Sequence, residues 1–104
     1  MKGFQLTFFT RQGQRHGHEL VSDWLLGISK KAGAYGGTVV SGSEGFDHAG
    51  LYHSASFFEL SDQPMAVTVS VDEEHCDALL EEIEQSGISI SYTRIPIEYG
   101  TLNG

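Results

Sequence analysis

Two hydrophobic periods alternate along the chain and predict the order of its secondary-structure elements. Residues from Phe4 to Thr10 alternate between apolar and polar types, which is typical of a half-buried β-strand. After a polar segment, apolar residues recur every four positions and predict a helix closed by Gly33: Leu20, Trp24, Ile28 and Ala32. The β-branched run from Thr38 to Val40 predicts a second strand.

The second half of the chain repeats this order. Val67, Val69 and Val71 alternate with small polar residues and predict the clearest strand. Asp72 suits the N-cap of a second helix ending at Gly87, with apolar residues at helical spacing: Cys76, Leu79, Leu80 and Ile83. A fourth strand follows from Ile88, and its apolar phase shifts by one place at Arg94. This shift predicts a bulge or bend, after which the C-terminal segment leaves the sheet.

The order β-α-β, long connection, β-α-β predicts an α+β, ferredoxin-like βαββαβ sandwich, with a four-stranded antiparallel sheet and two helices on one face. A chain of 104 residues fits one such domain, residues 1–104. Right-handed crossovers then gather four features at one rim of the sheet: the loop after the first strand, the start of the first helix, the long connection and the Gly87 turn.

The long connection, residues 41–64, is the most informative segment. Most connections are about 4–6 residues long, and those beyond roughly 12–15 are usually functional or disordered. This one combines glycines with polar residues and with apolar anchors that linkers lack, including Phe46, Phe57 and Phe58. We expect Phe57, Phe58 and Leu60 to extend a ribbon back toward the core. The connection is therefore predicted to be a structured, functional loop.

Charge and composition exclude several classes of function. Fourteen acidic residues against six basic ones give a net charge of −8, which opposes nucleic-acid binding but leaves room for a small anion held by two or three basic residues. No apolar run approaches the length of a membrane span, and no leader-like segment is recognisable. With a single cysteine, Cys76, these features favour a cytoplasmic location.

The sheet face away from the helices is predicted to carry small or hydroxylated side chains, such as Thr7, Thr68 and Ser70, where an open face usually carries more charge. We expect other subunits to cover part of this face, held together by the displaced C-terminal segment. A merely solvated face is the alternative.

Several segments together resemble a family of short PII-like proteins of unknown function, the domain of unknown function 190 type. They are Lys2–Leu6, the Gly42–Phe46 segment with Glu44, the pair His53-Ser54, the turn Leu60–Pro64 and the glycine before the fourth strand. The resemblance covers nearly the whole chain. It is most specific at Glu44-Gly45-Phe46 and at His53-Ser54.

The resemblance implies a regulatory homotrimer with adenine nucleotides (ATP, ADP or AMP) in clefts between subunits. It also implies a mobile loop that reports occupancy to a membrane protein or an enzyme target. One departure matters, because PII proteins carry a phosphate-wrapping loop between the second helix and the fourth strand, where this chain has only Gln85-Ser86-Gly87. Phosphate binding must therefore be rearranged, weaker or absent. Tyr52 does not match the modified tyrosine of PII proteins.

The candidate ligand-binding residues follow from side-chain chemistry. Gly42 and Gly45 let backbone N–H groups approach a ligand, and Phe46 can pack on a base. Arg11 and Arg15 suit phosphate, although such arginines are ordinary in surface loops, and Arg94 would have to come from a neighbouring subunit or act elsewhere. The full set is Arg11, Arg15, Gly42, Glu44, Gly45, Phe46, His53, Ser54 and Arg94.

Other functions remain open from the sequence. A metal-responsive trimer resembling the divalent-cation-tolerance proteins is one alternative, with five histidines and Cys76 as possible ligands, although their spacing is weak and Cys76 fits the apolar stripe of its helix. A ligand-free adaptor for a membrane protein is another. No catalytic motif is present, and the carboxylates of the second helix suit a solvated face, so we do not expect an enzyme.

Overall fold

The computed structural model describes residues 1–54 and 60–104, which contain the predicted two helices and four main strands. In chain order the elements are β1 (Lys2–Arg11), β2 (Arg15–His16), β3 (Glu19–Leu20), α1 (Val21–Lys31), β4 (Gly36–Ser41), β5 (Glu44–Phe46), β6 (Tyr52–Ser54), a 3₁₀ turn (Leu60–Asp62), β7 (Pro64–Asp72), α2 (Glu73–Gln85) and β8 (Ser91–Glu98). Gly33, after α1, adopts the positive φ of 88° that was expected of a helix-closing glycine.

The main sheet has the strand order β4-β7-β1-β8, and every neighbouring pair is antiparallel. β1 therefore runs parallel to β4, and β7 runs parallel to β8, as two βαβ units require. The predicted ferredoxin-like architecture is confirmed. In this arrangement the ends of β1 and β4 lie at the same rim of the sheet as the starts of β7 and β8.

The core lies between the helices and one face of the sheet. Val67, Val69 and Val71 of β7 are at most 1% exposed, and they pack with fully buried residues of β1 and both helices: Leu6, Phe8, Val21, Leu25, Cys76 and Leu79. The two-residue period of β7 and the helical period of α2 thus predicted the buried face correctly. Cys76 is a core residue, as the sequence indicated, and burial raises the pKa of its thiol.

The predicted bulge at Arg94 is wrong. β8 pairs with β1 without interruption from Phe9↔Ser91 to Lys2↔Glu98, so the segment after Arg94 stays in the sheet. The apolar phase changes because Ile88 and Ile90 precede the strand and pack on the core, whereas Ile95 lies exposed within it. The apolar residues before the strand and those within it therefore lie in different structural environments, and the change of phase does not mark a kink in the strand.

Two smaller expectations also change, at Asp72 and at Leu60. Asp72 occupies the N-cap of α2, but its carboxylate accepts a hydrogen bond from His75 Nδ1 at 2.8 Å instead of capping the helix, and this contact lowers the pKa of Asp72. Leu60 begins a 3₁₀ turn and not a ribbon, while Phe57 and Phe58 lie outside the described residues. The described part of the chain has no helix of the length and hydropathy that a membrane crossing requires.

Candidate functional site

A cleft of about 760 Å³ opens at the rim that the topology predicted. Its walls come from the end of β1, the long connection, the start of β7 and the segment that leads into β8. This rim cleft is lined by, among others, Phe9, Arg11, Phe46, His53, Pro64 and Ile90. The volume lies in the range of roughly 300–1,000 Å³ that small-molecule sites occupy.

Backbone hydrogen bonds fix both ends of the long connection. The Gly42 N–H donates to the Pro64 carbonyl at 2.8 Å, so the chain leaves β4 and enters β7 side by side. Past that point, the N–H groups of Gln12 and Gly13 donate to the carbonyls of Gln63 and Ser61 at 2.8 and 2.7 Å. The returning end of the connection is therefore attached to the loop after β1.

The first part of the connection folds into the hairpin β5–β6, whose turn is organised by Asp47. One carboxylate oxygen of Asp47 accepts hydrogen bonds from the N–H groups of Ala49 and Leu51, and Gly50 takes a positive φ of 81° in the same turn. Asx-type bonds of this kind let a short polar side chain shape a turn. Next to this turn, His48 Nδ1 lies 3.3 Å from Ser91 Oγ and links the hairpin to β8.

His53 lies between two carboxylates that come from different parts of the connection. Its Nε2 is 2.8 Å from Asp47 Oδ2, and its Nδ1 is 2.6 Å from Asp62 Oδ1. The His53 side chain is only 18% exposed. The hydrogen bond with Asp47 and then that with Asp62 raise the pKa of His53, and hydrogen bonding by His53 lowers the pKa of each aspartate.

Six of the nine residues singled out in the sequence line the rim cleft: Arg11, Gly42, Glu44, Gly45, Phe46 and His53. Three do not. Arg15 lies in the small β2–β3 hairpin and donates to the His18 carbonyl at 3.1 Å, and the Ser54 N–H lies 3.4 Å from Asp62 Oδ2. That the nine residues bind a ligand remains a prediction.

Arg94 lies away from the rim cleft in its own chain, and its contribution to the cleft of a neighbouring subunit stays a prediction. Its register opposite Leu6 places it on the helix side of β8, where its guanidinium lies 4.9 Å from the centre of the Phe4 ring. Nη1 donates to Asp77 Oδ1 of α2 at 3.0 Å. Arg94 therefore joins the edge strand to the second helix and lies outside the cleft of its own chain.

No pattern in the sequence indicated that Asp62 would meet His53, because that contact depends on the path of the whole connection. Gln14 and Ile90 also line the cleft and were not singled out, and His48 lines it but was named only as a polar residue of the loop and a possible metal ligand. The Asp47 turn was the detectable part, since aspartate and glycine close together between strand-like runs are a common turn signal.

The five histidines do not come together in one group within the described residues. Within residues 1–54 and 60–104, the group with suitable spacing is Asp72, Glu74 and His75, at the exposed start of α2. His16 instead contacts the Trp24 ring, with 4.7 Å between ring centres. This group contains His75, one of the five candidate histidines, and the metal-responsive alternative stays untested.

The fold is the α+β fold of PII-like proteins. The chain belongs to the DUF190 family, described as uncharacterized ACR, COG1993, whose family model matches residues 3–93. No curated protein is significantly similar to the chain.

Solved structures with low sequence identity share the fold. One is CPII, a nitrogen regulatory PII-like protein from Thiomonas intermedia K12 bound to ADP, AMP and bicarbonate, with a TM-score of 0.72 and 18% identity over 97% of this chain and 91% of that chain. The structure of CPII bound to ADP and bicarbonate has a TM-score of 0.69 and 17% identity, again over 97% of this chain and 91% of that chain. A proposed PII-like signaling protein from Thermus thermophilus has a TM-score of 0.67 and 16% identity, over 93% of this chain and 88% of that chain.

Proposed function

We propose that this chain is a regulatory protein that binds a small anionic effector, foremost an adenine nucleotide, in the rim cleft and relays occupancy through residues 41–64. The observation that carries the proposal is the composition of that cleft. Arg11 offers a guanidinium for phosphate. Gly45 lines the cleft without a side chain, whereas the Gly42 N–H, which the sequence led us to expect at the ligand, is already bonded to the Pro64 carbonyl. Phe46 is 72% exposed at the same cleft, so its ring is available to stack on a base.

The bound molecules of the structural neighbours support the same ligand class. CPII from Thiomonas intermedia K12 was crystallised with ADP, AMP and bicarbonate, all of which are anions. A ligand shifts a conformational equilibrium only by its difference in affinity for the two states. We infer that the effector favours one arrangement of the β5–β6 hairpin, and that a target protein reads the exposed hairpin residues Phe46, Leu51 and Tyr52.

A homotrimer with clefts between its subunits is part of the proposal. The register places Phe9 and Val40 on the sheet face away from the helices, and both are about half exposed. Both residues also line the rim cleft. A neighbouring copy that covered this face would therefore complete a wall of the cleft, which is the reason to expect the ligand between subunits.

The test is calorimetric titration of ATP, ADP and AMP, with and without magnesium. Arg11→Ala should weaken binding by about 10- to 100-fold, because a hydrogen bond to a charged group contributes about 1.5–3 kcal/mol. Lys31→Ala, at the far end of α1, removes the same charge away from the cleft and should have little effect. Glu44→Ala and Arg15→Ala test two further candidates, and an unchanged affinity would remove the residue concerned from the site.

The results test separately whether the ligand is a nucleotide and whether it binds in the rim cleft. Absence of heat with every nucleotide at millimolar concentration would refute the nucleotide. Binding that Arg11→Ala and Lys31→Ala weaken equally would place the ligand outside the rim cleft.

A further inference from the structure

The two contacts of His53 need two protons on one imidazole ring. Both partners, Asp47 and Asp62, are carboxylates, which only accept hydrogen bonds when ionised. A neutral imidazole has one N–H and one lone pair, so it can satisfy one carboxylate and must turn a lone pair toward the other. The geometry therefore fits the imidazolium and not the neutral ring.

The pair of contacts joins two separately anchored pieces of the long connection. Asp47 shapes the turn of the β5–β6 hairpin, and Asp62 ends the 3₁₀ turn whose Ser61 carbonyl accepts from the Gly13 N–H. His53 belongs to β6, so its ring ties the hairpin to the loop after β1. Asp47 and His53 both line the rim cleft.

Among the described residues, the charged groups near His53 belong to three elements. They are Asp47 of the hairpin turn and Asp62 of the 3₁₀ turn, with Arg11 of β1 acting on Asp62. Glu44 and His48 line the same cleft. The two aspartates are the charges that act directly on the ring, and both favour its cationic form.

We propose that His53 is a proton-operated latch: while its ring carries both protons, it holds the hairpin against the Leu60–Asp62 turn and keeps the rim cleft in its nucleotide-binding shape. This inference rests on the function proposed above. Loss of one proton breaks one of the two contacts and frees the hairpin. Proton binding and nucleotide binding then strengthen each other, as linkage requires.

The direction of the pH dependence follows from the pKa shifts. The pKa of His53 is raised by Asp47 and Asp62, so the latch is fully closed below the ordinary histidine value of 6.5 and opens as the pH rises through the raised value. The pKa values of both aspartates are lowered, so the latch also opens in acid as the pH falls through those lowered values. Between the ordinary and the raised pKa of His53, the equilibrium constant for closing the latch falls by up to about tenfold for each unit of pH increase.

The first experiment needs no ligand. Nitrogen-15 NMR of the imidazole rings follows His53 between about pH 5 and 9, a range that covers ordinary histidine titration. We expect a His53 midpoint above that of the same residue in the urea-unfolded chain, with both ring nitrogens protonated below it. Asp62→Asn should lower this midpoint, because an amide can donate to a neutral ring. A wild-type midpoint at or below the unfolded value would overturn the latch.

The second experiment measures AMP affinity against pH in the full chain. The wild type should lose several-fold in affinity as the pH rises through the His53 midpoint, and Asp62→Asn should flatten this loss. His75→Gln is the matched control, since it removes another histidine–aspartate contact far from the cleft and should keep the wild-type profile. The AMP phosphate has a pKa of about 6, so the comparison between variants removes its contribution.

The outcomes separate the latch from the proposed function. Equal pH profiles in the wild type and Asp62→Asn would overturn the coupling of the latch to the cleft. No AMP binding at any pH would refute AMP as the effector and the coupling with it, while the NMR midpoint would still decide whether the latch exists.

Discussion

Gly3→Ala tests how tightly the central strand is held. Gly3 pairs with Asp72 of β7 on one side and with Ile97 of β8 on the other. A Cβ added at Gly3 would lie against the Val71 carbonyl oxygen, and it would lie 2.8 Å from the Asp72 Cα, where ordinary contact begins at 3.4 Å. Because ladders on both sides hold β1 in place, the strand cannot move away from β7 without stretching its hydrogen bonds.

The expected cost follows from these contacts. Overpacking in a well-packed region costs typically about 1–3 kcal/mol, and each weakened hydrogen bond adds up to roughly 1 kcal/mol. We therefore expect Gly3→Ala to lower the free energy of unfolding by about 2–4 kcal/mol. Gly36→Ala is the matched control, since Gly36 also lies in the sheet and a Cβ there meets nothing within 4 Å.

The assay is urea unfolding followed by the fluorescence of Trp24, the only tryptophan, at one protein concentration so that association does not differ between variants. Gly36→Ala should stay within about 0.5 kcal/mol of the wild type. If Gly3→Ala matched Gly36→Ala, the close approach of β1 and β7 at Gly3 would be refuted.

Two further variants test the helix surface and the open sheet face. Gly27→Ala should raise the free energy of unfolding by about 0.5–1 kcal/mol, because Gly27 is exposed within α1 and a Cβ there meets nothing; an unchanged urea midpoint would contradict this. Ile95→Glu places a charge on the exposed sheet face and should lower the molar mass measured by light scattering. Leu102→Glu, at an exposed residue outside the sheet, should leave that mass unchanged. A wild-type mass of 11.4 kDa, that of one chain, would refute the oligomer itself.

The fold was predictable because the spacing of apolar residues along the main elements matches the spacing of their buried positions. Every second residue of β7 from Val67 to Val71 faces the helices, so a two-residue pattern was enough to identify the strand and its buried face. β8 was misread because it is an edge strand with exposed side chains, where burial does not enforce a single apolar phase. Ile88 and Ile90 added to the error, since they belong to the core but not to the strand.

The site was less predictable, because its contacts join residues that are distant in sequence. Arg11 and Arg15 were equivalent candidates from composition, and only the β2–β3 hairpin separates them by turning Arg15 toward the His18 carbonyl. His53 was identified as a polar residue of the loop, but its second partner, Asp62, requires the returning end of the connection to be attached to the loop after β1.

Binding and association are linked in the proposed assembly because they use the same residues. Phe9 and Val40 contribute both to the rim cleft and to the sheet face that a second copy would cover. A ligand that contacts this shared wall must change the affinity between subunits by the same factor by which association changes its own affinity. Because Glu44, Gly45 and Phe46 of the hairpin line the same cleft as Phe9 and Val40, one ligand would contact both the hairpin and the wall shared between copies, and a binding event in one copy would be passed to the next.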